Sequence, residues 1–221
     1  MNPVPRRGFI QSGLAIALAT SLNGLSRAQS NPMQAATAPR GPIDVHHHLF
    51  PPAMVEALRS RLPEFVLPGV ERSLAELNGS GARAAMISFP NSDIVELPEQ
   101  QLTTLIRKSN DYAAELVAKN PGRYGLFASL PMPYVEASLK ELSRALDELH
   151  ADGILLITNY RNRWLGDPLF APVLAELNRR QAVVYTHPNA ADCCKGLIPK
   201  LSDAIIEFLT DLTREAEKAS L

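Results

Sequence analysis

Three consecutive histidines, His46, His47 and His48, end a short apolar run that begins at Ile43. Side chains alternate between the faces of an extended strand. Asp44, His46 and His48 are therefore expected on one face, with Val45 and His47 on the other. Two imidazoles two residues apart on one strand reach a single divalent metal, and imidazole is the commonest protein ligand for such ions. A histidine run also arises by accident in surface loops, so it gains meaning only from partners elsewhere. His187 is such a partner. It closes a second apolar run, Ala182 to Thr186, and Pro188 follows it. His46, His48 and His187 are the candidate metal ligands, all at the carboxyl ends of expected strands, where parallel sheets place their sites. His47 is expected outside that cluster, as a packing residue or as support for a ligand. His150 precedes Asp152-Gly153 at an expected helix end, where an imidazole complements the helix dipole and has a structural role.

One further stretch carries chemistry. Thr158 to Trp164 should be a loop after an apolar strand. Asn159, Arg161 and Trp164 in it combine an amide, a guanidinium and an aromatic ring. Such a set suits a carboxylated aromatic substrate, since arginine pairs with carboxylate through two parallel hydrogen bonds. The alternative is an ordinary solvated polar loop. Cys193 and Cys194 are adjacent, a spacing that rarely makes a structural disulfide, and no partner base is evident, so they are read as unpaired and incidental. The sequence holds no Gly-rich phosphate loop and no Gly-x-Ser-x-Gly elbow.

These residues need elements to hold them. Apolar, β-branched segments at Ile43 to His47, Ala84 to Phe89, Tyr124 to Ser129, Gly153 to Thr158 and Ala182 to Thr186 read as strands. Helical patterns fall between them, at Pro52 to Arg61, Leu74 to Asn78, Glu99 to Lys119, Val135 to His150 and Pro168 to Arg180. Leu201 to Leu221 adds one or two helices. Alternation of this kind argues for an α/β fold with a parallel sheet covered by helices. Five strands alone fit an open doubly wound sheet, whereas a (β/α)8 barrel takes eight strands and typically about 250 residues.

Composition narrows the class. The chain has 221 residues, 46% of them hydrophobic, and a net charge of -1. That is ordinary for a globular protein, and the lack of a basic excess argues against nucleic acid. Residues 1–28 read as an export leader: Arg6-Arg7 precede Gly8-Phe9, a modest apolar stretch follows, and Ser26-Arg27-Ala28 offers small residues for cleavage. The twin arginine suggests export to the periplasm or beyond. An uncleaved anchor is the alternative, although the apolar stretch falls short of the about 20 residues that span a bilayer. Residues 29–41 are a linker, and 42–221 form the folded domain.

Ile43-Asp44-Val45-His46-His47-His48 resembles the opening Asp-x-His-x-His motif of the amidohydrolase-related (amidohydrolase 2) family. The branch is the one with aminocarboxymuconate-semialdehyde decarboxylase and the resorcylate-type decarboxylases. Arg123 to Pro131, Gly153 to Tyr160, Leu165 to Phe170 and Val183 to Pro188 resemble later strands and loops of that branch, in family order. The resemblance runs from about Pro42 to Arg214. It implies a partial (β/α)8 TIM barrel, with about five of eight βα units present. It further implies that His46, His48 and His187 hold one divalent metal, zinc by expectation with manganese as the alternative. The family's later histidine and its catalytic aspartate have no counterpart here: no histidine follows His187, and Asp192, Asp203, Glu207 and Asp211 do not end apolar strands. The implied function is a metal-dependent decarboxylase of an aromatic or unsaturated carboxylic acid. The alternatives are a lactone or amide hydrolase and an inactive truncated fragment. The implied partners are a small carboxylic acid and, as a further expectation, a second copy in a homo-oligomer. Neither nucleic acid nor stable membrane insertion after leader removal is expected.

Overall fold

Alternating apolar strands and amphipathic helices can bury their faces only by layering, and the chain does so as a curled parallel sheet with helices outside. The computed structural model describes residues 41–59, 69–90, 94–196, 198 and 207–210. The expected leader, most of the linker and most of the final helical segment lie outside the described residues.

The strands are β1 (Ile43–His48), β2 (Ala84–Ser88), β3 (Tyr124–Ser129), β4 (Gly153–Ile157), β5 (Asn159–Tyr160), β6 (Arg163–Trp164) and β7 (Val184–His187). The helices are α1 (Pro52–Leu58), α2 (Val70–Ser80), α3 (Glu99–Lys119), α4 (Val135–Asp147) and α5 (Ala171–Arg180). A single 3-10 turn, Pro168–Phe170, leads into α5, and the Asp167 carboxylate caps it by accepting from the Leu169 N–H at 2.9 Å. The main sheet has the order β1-β2-β3-β4-β7, with every pair parallel. β3 and β4 are buried along their whole length, as central strands covered on both faces must be. β1 and β7 are the edges, and Val45 on β1 and Val183 just before β7 are more than half exposed.

The sheet cannot be flat. Four strand-to-strand steps separate β1 from β7, which is about 19 Å at the usual spacing of about 4.8 Å. Yet His48 on β1 and His187 on β7 meet, with their Nε2 atoms 3.2 Å apart. The sheet therefore curls until its two edges converge at the carboxyl end, the geometry of an opened barrel. Glycines permit part of this closeness. A Cβ on Gly153 would lie 2.6 Å from the Val183 carbonyl oxygen, so any side chain there pushes β4 away from the approach to β7.

Several boundaries differ from the sequence expectation for local reasons. α4 stops at Asp147 rather than His150. His150 takes φ 52, in the left-handed region, while Leu149 and Ala151 bond back to the carbonyls of Arg144 and Ala145. The stretch after β4, expected as a loop, is a two-stranded ribbon. β5 and β6 pair antiparallel, and the two residues between them, Arg161 and Asn162, have φ 53 and 60. Two successive positive φ values mark a type I′ hairpin turn, here without the usual Asn-Gly pair. The cysteine expectation is overturned: Cys193 and Cys194 are joined as a disulfide. Their place in a turn brings the two sulfurs together, and rarity alone did not exclude the pair.

The exit of β3 is fixed by a buried polar knot. Asn110 on α3 donates to the Ser129 carbonyl (3.0 Å) and accepts from its N–H (3.1 Å). Asn110 also donates to Glu141 on α4 (2.7 Å), whose carboxylate takes Arg144 (2.6 Å) and Arg107 (3.1 Å). Glu141 is 1% exposed, so its charge is tolerable only because all three partners are present. Replacing it should be costly. Glu141→Ala should lower unfolding stability by about 3–5 kcal/mol, seen as a lower urea midpoint at an unchanged slope.

Candidate metal centre

The curl brings three imidazoles to one point. His46 and His48 come from the end of β1, and His187 from the end of β7. Their Nε2 atoms stand 3.0 Å apart between His46 and His48 and 3.2 Å apart between His48 and His187. One nitrogen of each ring lies within 4.8 Å of the others, and this is the one such cluster among the described residues. Tetrahedral zinc with bonds of about 2.0–2.1 Å sets nitrogens about 3.3 Å apart. The observed separations are near that value, so the donor set fits a divalent metal.

The outer nitrogens explain which atoms face inward. His187 Nδ1 lies 2.8 Å from the Pro188 carbonyl oxygen, which can only accept. His48 Nδ1 lies 3.3 Å from the Ser88 carbonyl and 3.2 Å from the Ser88 hydroxyl. Each Nδ1 therefore carries the hydrogen, and each Nε2 offers its lone pair to the shared point. Burial reinforces this. It is the main cause holding the His48 pKa down to about 4, helped by His187 and His46 nearby. His187, 6% exposed, is likewise lowered to about 4, chiefly by burial. Both rings are neutral at pH 7, the form that binds metal.

The strand bearing two of the rings is irregular. Asp44 pairs with Ala85 and His47 with Ile87, so β1 spends three steps where β2 spends two. This extra residue is a bulge, and it modifies the simple alternation. The Asp44 carboxylate accepts from the His46 backbone N–H at 3.0 Å and contacts His47 Nδ1 at 3.2 Å. His47 meets the Ser73 hydroxyl at 2.7 Å, on the side of α2. His47 is outside the cluster, as expected, and Asp44 is bound to it.

Aromatic rings surround the imidazoles. Phe50 lies 6.2 Å from His48, Phe208 5.8 Å from His187 and Tyr185 5.9 Å from His46. Tyr185 stacks on Phe127 at 5.2 Å. Tyr185 stands two residues before His187 on one strand face, and that spacing was a readable signal that the sequence reasoning passed over.

Asn159, Arg161 and Trp164 lie on the ribbon. The Asn159 amide donates to the Asn189 carbonyl, and Asn189 donates back to the Asn159 carbonyl at 3.1 Å. Arg161 donates to the carbonyls of Val95 (2.9 Å) and Leu97 (3.1 Å) and to the Tyr134 hydroxyl (2.8 Å), with its guanidinium over the Tyr134 ring. Trp164 is half-buried and pairs with Asn159 across the ribbon. These contacts tie together the segments that follow β2, β4 and β7. Asn189 follows His187 by two residues, so the ribbon braces the strand end that carries the third imidazole. No helix among the described residues is long and apolar enough to cross a membrane.

Comparison with known proteins places this arrangement. A family model for amidohydrolases (Amidohydro_2) matches residues 43–213. The decarboxylase yanB of Aspergillus niger is 40% identical over 193 residues, which is 79% of this chain and 52% of that protein. The 6-methylsalicylic acid decarboxylase acuB of Aspergillus aculeatus is 40% identical over 158 residues, 66% of this chain and 47% of that protein. The chain thus spans about half the length of these curated relatives. A crystal structure of an amidohydrolase II superposes with a TM-score of 0.72 at 27% identity, covering 81% of this chain and 61% of that one. A dihydroxybenzoic acid decarboxylase from Polaromonas sp. JS666, with bound manganese and the inhibitor 2-nitroresorcinol, superposes at 0.65 with 19% identity, covering 81% and 60%. The α/β sheet is a partial barrel of this type.

The buried imidazoles predict how metal-free protein responds to acid. Unfolded histidines take up protons near pH 6.5, while His48 and His187 resist until about 4 when folded. Between these values the unfolded chain binds more protons, so stability is full above pH 6.5 and falls as pH drops toward 4. Denaturant midpoints of chelator-treated protein at pH 7.5 and 4.5 should show that fall. Equal midpoints would contradict it.

Proposed function

The chain belongs to the amidohydrolase family, and from that membership we propose that the protein is a metal-dependent decarboxylase of an aromatic carboxylic acid. His46, His48 and His187 are metal ligands in this reading. The observation that carries it is the convergence of three Nε2 atoms, with the outer nitrogens of His48 and His187 already engaged. The relatives supply the reaction class, since the Aspergillus niger and Aspergillus aculeatus proteins, each 40% identical, are decarboxylases.

Zinc is our first choice of ion, because a set of neutral nitrogen donors suits it. Manganese, held by the Polaromonas enzyme, prefers oxygen donors and is the alternative. An ion held by His46, His48 and His187 would supply Lewis-acid stabilisation of negative charge. The chain's own residues prepare the place. His48 and His187 stay neutral, and Ser88 and Pro188 hold their rings in one orientation. Phe50 and Phe208 give the cluster apolar flanks suited to a flat aromatic ring. Asn159 and Arg161 hold the surrounding segments together, and Trp164 completes the ribbon beside them.

Purified protein loaded with zinc or manganese and given 6-methylsalicylic acid should release carbon dioxide. His46→Ala and His187→Ala should each reduce bound metal to background and abolish that release. Metal content unchanged in both variants would overturn the site. Full metal occupancy without carbon dioxide, together with hydrolysis of a lactone or amide, would favour the hydrolase alternative.

A further inference from the structure

His47, the middle histidine, stands outside the cluster, yet it anchors the polar chain behind β1. The Asp44 carboxylate accepts twice, from the His46 N–H (3.0 Å) and from His47 Nδ1 (3.2 Å). A carboxylate only accepts, so His47 Nδ1 carries the hydrogen and Nε2 is left as an acceptor in the neutral ring. The Ser73 hydroxyl, 2.7 Å away, donates to Nε2, and the Tyr124 hydroxyl, 2.7 Å further on, donates to Ser73. The run from β3 through α2 to β1 thus donates in one direction as far as the Asp44 carboxylate, which accepts the His46 N–H from the other side.

Acid, imidazole and hydroxyl in this order also describe a hydrolytic triad, but Ser73 is fully buried and its oxygen is held between His47 and Tyr124. No substrate reaches it, so the group is a strut. The strut meets β1 where β1 most needs one. β1 is an edge strand, paired among the described residues with β2 alone, and its ladder breaks between Asp44 and His47.

We propose that His47 is a positioning residue for the metal centre: by holding Asp44 against the His46 amide it fixes the bulge and so sets the His46 imidazole beside that of His48. This rests on the reading that His46 and His48 bind metal. Partners that orient ligands in this way contribute about 10–100-fold to metal affinity.

The test uses the full chain and measures zinc affinity by chelator competition and the visible absorption of the cobalt(II) form. His47→Ala should weaken zinc binding by about 10–100-fold and alter the cobalt spectrum. His47→Asn, whose amide still donates to Asp44, should recover most of both. Tyr124→Phe, which cuts only the far end, should fall between wild type and His47→Ala. Should His47→Ala fail to fold, the order of wild type, His47→Asn and Tyr124→Phe carries the decision. Lower melting temperatures with unchanged zinc affinity and cobalt spectra would show plain stabilisation and overturn the proposal. If wild type binds no metal, the metal-centre reading itself fails; if wild type binds and the variants match it, only the role of His47 fails.

Discussion

Everything at the candidate site depends on one closure: two edge strands of a five-stranded sheet must meet at their carboxyl ends. His46 and His48 belong to one edge and His187 to the other, and flat strands would hold them apart. Curling brings their nitrogens to 3.2 Å. Three imidazoles so close cannot all be protonated without strong repulsion, and burial already keeps two of them neutral. Closure therefore determines both the shape and the protonation of the donor set.

The remaining polar groups stabilise that closure from outside it. Asn110 and Glu141 fix the exit of β3, and Asn159 with Asn189 joins the ends of β4 and β7. Arg161 fastens the ribbon to the segment that leads into α3. Each is buried or half-buried and hydrogen-bonded, the condition under which polar groups rigidify a core instead of weakening it. The imidazoles can thus be placed by strands and braced by loops without touching the braces themselves.

Much of this was legible in the sequence because it follows from period and composition. The limits of α3 and β3 match the apolar pattern, and the alternation of β1 separates His47 from His46 and His48. The bulge was not legible, since it arises from pairing with β2 and leaves no local mark in Ile43 to His48. The ribbon was missed because its turn uses Arg161-Asn162 rather than glycine. Arg161 looked like a carboxylate binder, yet much of its guanidinium is spent on carbonyls some 65 residues away in sequence, and long-range partners of that kind have no local signature. The same holds for Ser73 and Tyr124, which reach His47 only once α2 and β3 are packed.

The account stands or falls on what surrounds the bound ion. X-ray absorption at the zinc edge of the zinc-loaded chain measures this directly. The account predicts a first shell dominated by imidazole nitrogen at about 2.0–2.1 Å, with the multiple-scattering signature of three histidines. A shell dominated by oxygen, without the histidine multiple-scattering signature, would contradict it.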